Sequence, residues 1–119
     1  MNKQELKVRT KNFALRIIKL TEALPKNSTG KVIANQLLRS GTSVGANYRA
    51  ACRARSKQEF IAKLGIVVEE ADESCFWLEL IIESGLMKKD LVLSLLNEAN
   101  EITAIMYTTR KSTSSGQKS

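Results

Sequence analysis

Apolar residues recur along most of this chain at spacings of three, four and seven, the period of one face of an α-helix. Leu6, Phe13, Ile17, Leu20 and Leu24 mark the first stripe and predict a helix from about Gln4 to Leu24. Pro25 ends it, because the residue before a proline is pushed out of helical geometry. The run Lys26-Asn27-Ser28-Thr29-Gly30 then reads as a polar turn, with Ser28 and Thr29 as candidates to cap the next helix.

A second helix is predicted from about Lys31 to Ala54. Ile33, Leu37, Val44 and Ala51 form its apolar stripe, and Ser40 and Asn47 take the intervening core-type positions. Gly41 and Gly45 stand four apart on a neighbouring face. A glycine inside a helix costs roughly 0.5–1 kcal/mol relative to alanine. Two of them need a compensation, and close approach of another backbone supplies one. The alternative is a break near Gly41. The helix-forming composition from Ala46 to Ala54 favours one continuous helix.

Ser56-Lys57-Gln58-Glu59 has the form of a capping box and predicts a long third helix, from about Lys57 to Ser84. Phe60, Leu64, Val67, Ala71, Leu78 and Ile82 form its stripe, and Gly85 is placed to cap its C-terminus. Ile61, Val68, Cys75, Trp77, Leu80 and Ile81 widen that apolar surface, as expected of a helix with several neighbours, another subunit included. A fourth helix is predicted from about Lys89 to Arg110, with Leu91, Leu95, Ile102 and Met106 as its stripe. Residues 1–111 are then a single domain, and the polar stretch 112–119 is expected to be a flexible tail. Strand-like alternation is absent from the sequence. Four amphipathic helices joined by short turns predict an all-α fold, an antiparallel up-down four-helix bundle.

Composition narrows the chemistry. The chain has 119 residues, of which 43% are hydrophobic and 26% charged, as in ordinary globular proteins. No uncharged apolar run approaches the ~20 residues of a membrane-spanning helix, so no membrane partner is expected. Met1 to Glu5 lack an apolar signal core, which makes a cytoplasmic location the default expectation. The chain contains no histidine. That excludes Ser-His-Asp and Cys-His nucleophile systems and every histidine-ligated metal site. Cys52 and Cys75 belong to no CxxC pair and read as two mostly buried thiols, so neither a metal nor a cofactor is expected.

The net charge of +7 is unevenly placed. Residues 1–55 hold twelve Lys and Arg against two acids, a net +10. Residues 56–119 hold seven against ten, a net −3. Lys3, Lys7, Arg9, Lys11, Arg16 and Lys19 spread along the first helix, and Arg39, Arg49, Arg53 and Arg55 lie on or after the second. Such a surface can track a phosphate backbone, RNA or DNA, without reading sequence. Aromatic residues are only 5% of the chain, too few for an extensive base-stacking platform. The basic half could instead answer the acidic half, or an acidic protein partner.

Glu69, Glu70, Asp72 and Glu73 cluster on the third helix, where they are expected to face solvent or answer the basic helices. Ser40, Ser43 and Asn47 are expected to form an interhelical hydrogen-bond network that fixes register. With Gly41 and Gly45, and with Tyr48 and Trp77 as core or interface anchors, they make up the candidate assembly residues. A serine nucleophile here would need lysine activation, since there is no histidine base. No enzymatic activity is expected.

The stretch Gln36-Leu37-Leu38-Arg39-Ser40-Gly41-Thr42-Ser43-Val44-Gly45-Ala46-Asn47-Tyr48-Arg49-Ala50-Ala51 resembles the signature of one bacterial family. So do Ser56 to Phe60, Lys63-Leu64-Gly65-Ile66, Glu69 to Glu73, and Trp77-Leu78-Glu79-Leu80. These are the small four-helix-bundle proteins encoded in intervening sequences of 23S ribosomal RNA genes, similar in fold to the accessory proteins of diversity-generating retroelements. The resemblance covers residues 4–110. It implies a homopentamer with a basic surface for nucleic acid, and no catalytic activity. For the retroelement relatives it implies binding to a reverse transcriptase and its RNA. This chain departs from the pattern at Gly41, where alanine is frequent, and between Arg49 and Arg55, which is more basic and lacks a glycine.

Overall fold

The structure is a computed structural model and describes residues 1–116. Four helices follow one another: α1 (Lys3–Ala23), α2 (Ser28–Cys52), α3 (Lys57–Glu83) and α4 (Lys89–Ser114). They form an all-α four-helix bundle measuring 46 × 21 × 19 Å. The described residues contain no strand.

Local chemistry sets the helix ends. Asn2 and Glu5 form a complete capping box at the start of α1, each side chain accepting the other's backbone N–H. The cap of α2 differs from the expectation: Asn27, rather than Ser28 or Thr29, is the extended residue, and its Oδ1 accepts the Gly30 N–H at 2.8 Å. Asparagine caps as well as serine, and it stands nearer Pro25, so α2 begins three residues earlier than its apolar stripe suggests. Ser56 caps α3 by accepting the Glu59 N–H at 3.0 Å. Gly85 ends α3 at φ +74°. Its N–H donates to the Ile82 carbonyl, and the Leu86 N–H donates to that of Ile81. This is the paired closure a glycine in the left-handed region allows.

α2 runs unbroken through both of its internal glycines. A Cβ on Gly45 would come within 3.3 Å of the Thr10 carbonyl oxygen, so here the compensation is close approach of the α1 backbone. At Gly41 the neighbour is a side chain instead: a Cβ would meet Cγ1 of Ile17 at 2.7 Å. Both positions draw α1 and α2 together.

The core includes Phe13, Ile17, Leu37, Val44, Leu64, Val67, Leu78, Ile81, Ile102 and Met106, all fully buried. Three core positions pass to a neighbouring residue, the first of them in α3, where Ile81 is fully buried and Ile82 half-buried. Tyr48, not Asn47, is buried alongside Ala51 in the last turns of α2, and Asn47 is half-buried. In α4 Val92 enters the core while Leu91 is exposed. In each case the helical period allows either neighbour, and the side chain that packs better against the facing helix decides. α4 also runs through Ser112, Thr113 and Ser114, the first three residues of the expected polar tail. The Thr113 and Ser114 hydroxyls donate back to the carbonyls of Thr109 and Lys111. Gln117, Lys118 and Ser119 lie outside the described residues.

The buried polar network is smaller than expected and has a different membership. The Ser74 hydroxyl lies 3.0 Å from that of Ser40, and both residues are fully buried between α2 and α3. Ser43 donates to the Arg39 carbonyl and Asn47 to the Ser43 carbonyl, both within α2. Those two side chains therefore satisfy their own helix and make no interhelical bond among the described residues.

Candidate nucleic-acid interface

The ten basic residues singled out in the sequence do not form one surface. Lys7 and Lys11, one turn apart on α1, meet Arg49 of α2 at a cleft of about 210 Å³ between the two helices. The floor of that cleft is made by Ala14, Gly45 and Ala46. Gly45 shapes it directly, since a Cβ there would come within 3.3 Å of the Thr10 carbonyl oxygen of α1.

The remaining seven are distributed elsewhere. The Lys3 ammonium sits over the Phe60 ring, 5.1 Å from its centroid, at one end of the bundle. Arg53 and Arg55 are exposed at that end, in the turn between α2 and α3. Arg16 donates to the Ser94 hydroxyl at 2.9 Å on the α1–α4 side, and Lys19 lines a shallow groove there with Leu20, Met87 and Leu91.

Arg9 and Arg39 are committed to the acidic half. Arg9 Nε and Nη2 clasp both carboxylate oxygens of Glu98, at 2.8 and 2.7 Å, and Nη2 also reaches Glu101 at 3.1 Å. Arg39 bridges Glu70, at 2.9 Å, and Glu73. Glu73 in turn accepts the Trp77 indole N–H at 2.9 Å. Trp77 is thus an anchor with a polar handle, packed edge-on to the exposed Phe76. Of the acidic cluster, Glu69 and Asp72 face solvent.

These contacts set the pH response. The Trp77 indole and Arg39 hold the Glu73 carboxyl below its ordinary value, and Arg9 does the same for Glu98. A depressed carboxyl stabilises the fold above its unfolded pKa, and that contribution is lost as pH falls through the folded value. Acid destabilisation is therefore expected below the ordinary carboxylate range, about pH 4.5. With no histidine, no side chain has its ordinary pKa between about 5 and 8. Melting temperatures measured across that interval should be flat, and a clear slope there would contradict the assignment. Burial pushes the Cys75 thiol upward, as suits an inert core thiol.

Several participants left little trace in the sequence. Ser74 was hidden because a single serine following the acidic run Asp72-Glu73 has no pattern of its own. Ala14 and Ala46 become significant only once Gly45 places α1 against α2. Among the described residues no three His, Cys, Asp or Glu side chains are grouped as metal ligands, and no helix is long and apolar enough to cross a membrane.

The fold and this face define a small four-helix bundle with a basic cleft between its first two helices. The chain belongs to the 23S rRNA-intervening sequence protein family, whose model matches residues 2–108. It is also similar to a crystal structure from Bacteroides thetaiotaomicron, described as a protein of unknown function from the S23 ribosomal protein family. The two share 37% identity and a TM-score of 0.85, over 93% of this chain and 99% of that one. No curated protein matches the chain.

Proposed function

We propose that this chain is a non-enzymatic, cytoplasmic, homo-oligomeric bundle that binds nucleic acid electrostatically through α1 and α2. The carrying observation is the incomplete neutralisation of the basic half. The acidic half takes up Arg9 and Arg39, while Lys7, Lys11, Lys19, Arg49, Arg53 and Arg55 make no ion pair among the described residues. Lys and Arg that neutralise phosphates release condensed counterions, and a homo-oligomer multiplies the contacts.

An antiparallel up-down arrangement is supported by contacts that run in opposite senses. Thr10 and Ile17 of α1 meet Gly45 and Gly41 of α2, and Arg9 and Arg16 meet Glu98 and Ser94 of α4. Self-association is supported by large apolar residues on the outside. Leu15, Val32, Phe76, Leu91 and Tyr107 are each more than half exposed, and α1 packs only lightly on α4. The family resemblance implies five subunits.

Light scattering of the pure protein with and without RNA across a salt series tests both parts. The expected result is an oligomer whose RNA affinity falls log-linearly with salt, with a slope of about 0.7–0.9 per phosphate contacted. Absent binding at low salt, or affinity flat across the series, rejects the nucleic-acid reading. The exposed apolar residues also favour a second reading, a protein–protein adaptor. Recovery of a defined protein partner after nuclease treatment would favour that one.

A further inference from the structure

We infer that the Lys7–Lys11–Arg49 cleft is a seat for a single phosphodiester group of an RNA backbone, and that it is the fixed point of the otherwise diffuse basic surface. The inference rests on the nucleic-acid reading above and goes further by naming the atoms' destination.

Charge points to an anion. Three cations from two helices converge on this cleft, and none of its lining residues is acidic. The contrast with the rest of the molecule is informative. Arg9 and Arg39 each hold two carboxylates, whereas Lys7, Lys11 and Arg49 hold none among the described residues. Lys7 and Lys11 are like charges at i and i+4, an arrangement that disfavours the empty helix. A bound anion reverses that repulsion.

Size and chemistry point to phosphate. The cleft, at about 210 Å³, is below the roughly 300–1,000 Å³ of pockets that enclose drug-sized ligands or cofactors. No aromatic residue lines it, so it offers no surface on which a base could stack. Its small floor residues, Ala14, Gly45 and Ala46, let a backbone group come close to the helices. Arg49 brings a planar fork of donors suited to two phosphate oxygens, and the two lysines bring point charges. Arg53 follows Arg49 by one helical turn, so the strand is led toward the exposed basic turn at the bundle end.

Ala46 allows a direct test. It is exposed, helical and part of the floor, and glutamate is a good helix former. Ala46→Glu puts a carboxylate into the seat, Ala46→Gln puts an equivalent bulk there without charge, and Ala62→Glu adds the same charge on the exposed surface of α3. Binding of a short fluorescent RNA duplex is measured for each by anisotropy across a salt series, with circular dichroism to confirm helicity. Ala46→Glu should weaken binding by about tenfold or more and Ala46→Gln by clearly less, since it adds bulk without charge, while Ala62→Glu stays within about threefold of the natural chain. Lys7→Gln and Arg49→Gln should each lower the salt slope, and the two together by no more than about one phosphate contact, since they share one phosphate. If the natural chain binds RNA but Ala46→Glu and Ala62→Glu behave alike, the seat is wrong and the general reading survives. If the natural chain binds no RNA at low salt, the general reading itself fails. Equal displacement of RNA by polyglutamate would overturn the seat in favour of an acidic protein partner.

Discussion

Gly30→Ala is expected to destabilise the protein by about 1–3 kcal/mol, the range of overpacking in a constrained site. Helix propensity predicts the opposite sign, because alanine is favoured over glycine within a helix by about 1 kcal/mol. Gly30 is buried in the first turn of α2, and a Cβ there would overlap the carbonyl oxygen of Pro25 and come 3.1 Å from the capping Oδ1 of Asn27. Neither neighbour can swing aside. The Pro25 carbonyl is backbone, and Asn27 is fixed by the cap it provides. Relief would have to come from opening the α1–α2 turn, which also positions Thr10 against Gly45.

Gly65→Ala supplies the control of opposite sign. Its Cβ would approach the Arg110 guanidinium, with Nε at 3.1 Å, and that is the end of a long exposed side chain held there only by one exposed hydrogen bond, from Nε to the Ile61 carbonyl. Propensity should win there, giving a gain of about 0.5–1 kcal/mol. Urea unfolding at matched protein concentration measures both. If Gly30→Ala stabilises, the turn is looser than the structure implies and the steric argument fails.

This contrast also shows where the sequence was legible. The four helices followed from apolar periodicity, Pro25, the Ser56 cap and Gly85, all of which act locally. The choice between Asn47 and Tyr48, or between Leu91 and Val92, did not follow, because adjacent positions satisfy the same period and only the facing helix separates them. The difference between Gly30 and Gly65 lies entirely in what stands opposite.

The candidate site divides in the same way. The excess of Lys and Arg in residues 1–55 was plain from the sequence, and the assignment of each charge was not. Arg9 and Lys7 look alike as basic residues of α1, and the sequence does not say which of their two faces meets an acid. In the structure Arg9 meets Glu98, eighty-nine residues away, while Lys7 faces an open cleft. A long-range ion pair leaves no periodic signature, so a basic stripe overstates the charge available to a ligand. Ser43 and Asn47 failed as network members for a related reason. Short polar side chains in a helix have the carbonyl four residues back within reach, and both take it.

Arg9→Met is expected to cost about 1.5–3 kcal/mol, the range for hydrogen bonds to charged groups, and to leave RNA affinity unchanged in the folded protein. Arg9 carries the only ion pairs between α1 and α4 among the described residues, along the side of the bundle that packs most lightly. The Arg9 and Glu98 side chains are only 22% and 19% exposed. Methionine fills much of the arginine stem but leaves Glu98 partly desolvated without its partner, which is the costly half of breaking such a pair. Arg9→Lys should recover less than half of the loss, since one ammonium cannot supply the two parallel bonds that Nε and Nη2 make to Glu98. Arg9→Met combined with Glu98→Gln should cost less than the two single changes added together, because the second removes the charge that the first strands. Urea midpoints at matched protein concentration give the stabilities, and anisotropy with the RNA duplex gives the binding. Full stability in Arg9→Lys would show that the clasp contributes charge alone. A loss of RNA affinity in Arg9→Met with the fold intact would return Arg9 to the binding surface, and with it the α1–α4 side of the bundle.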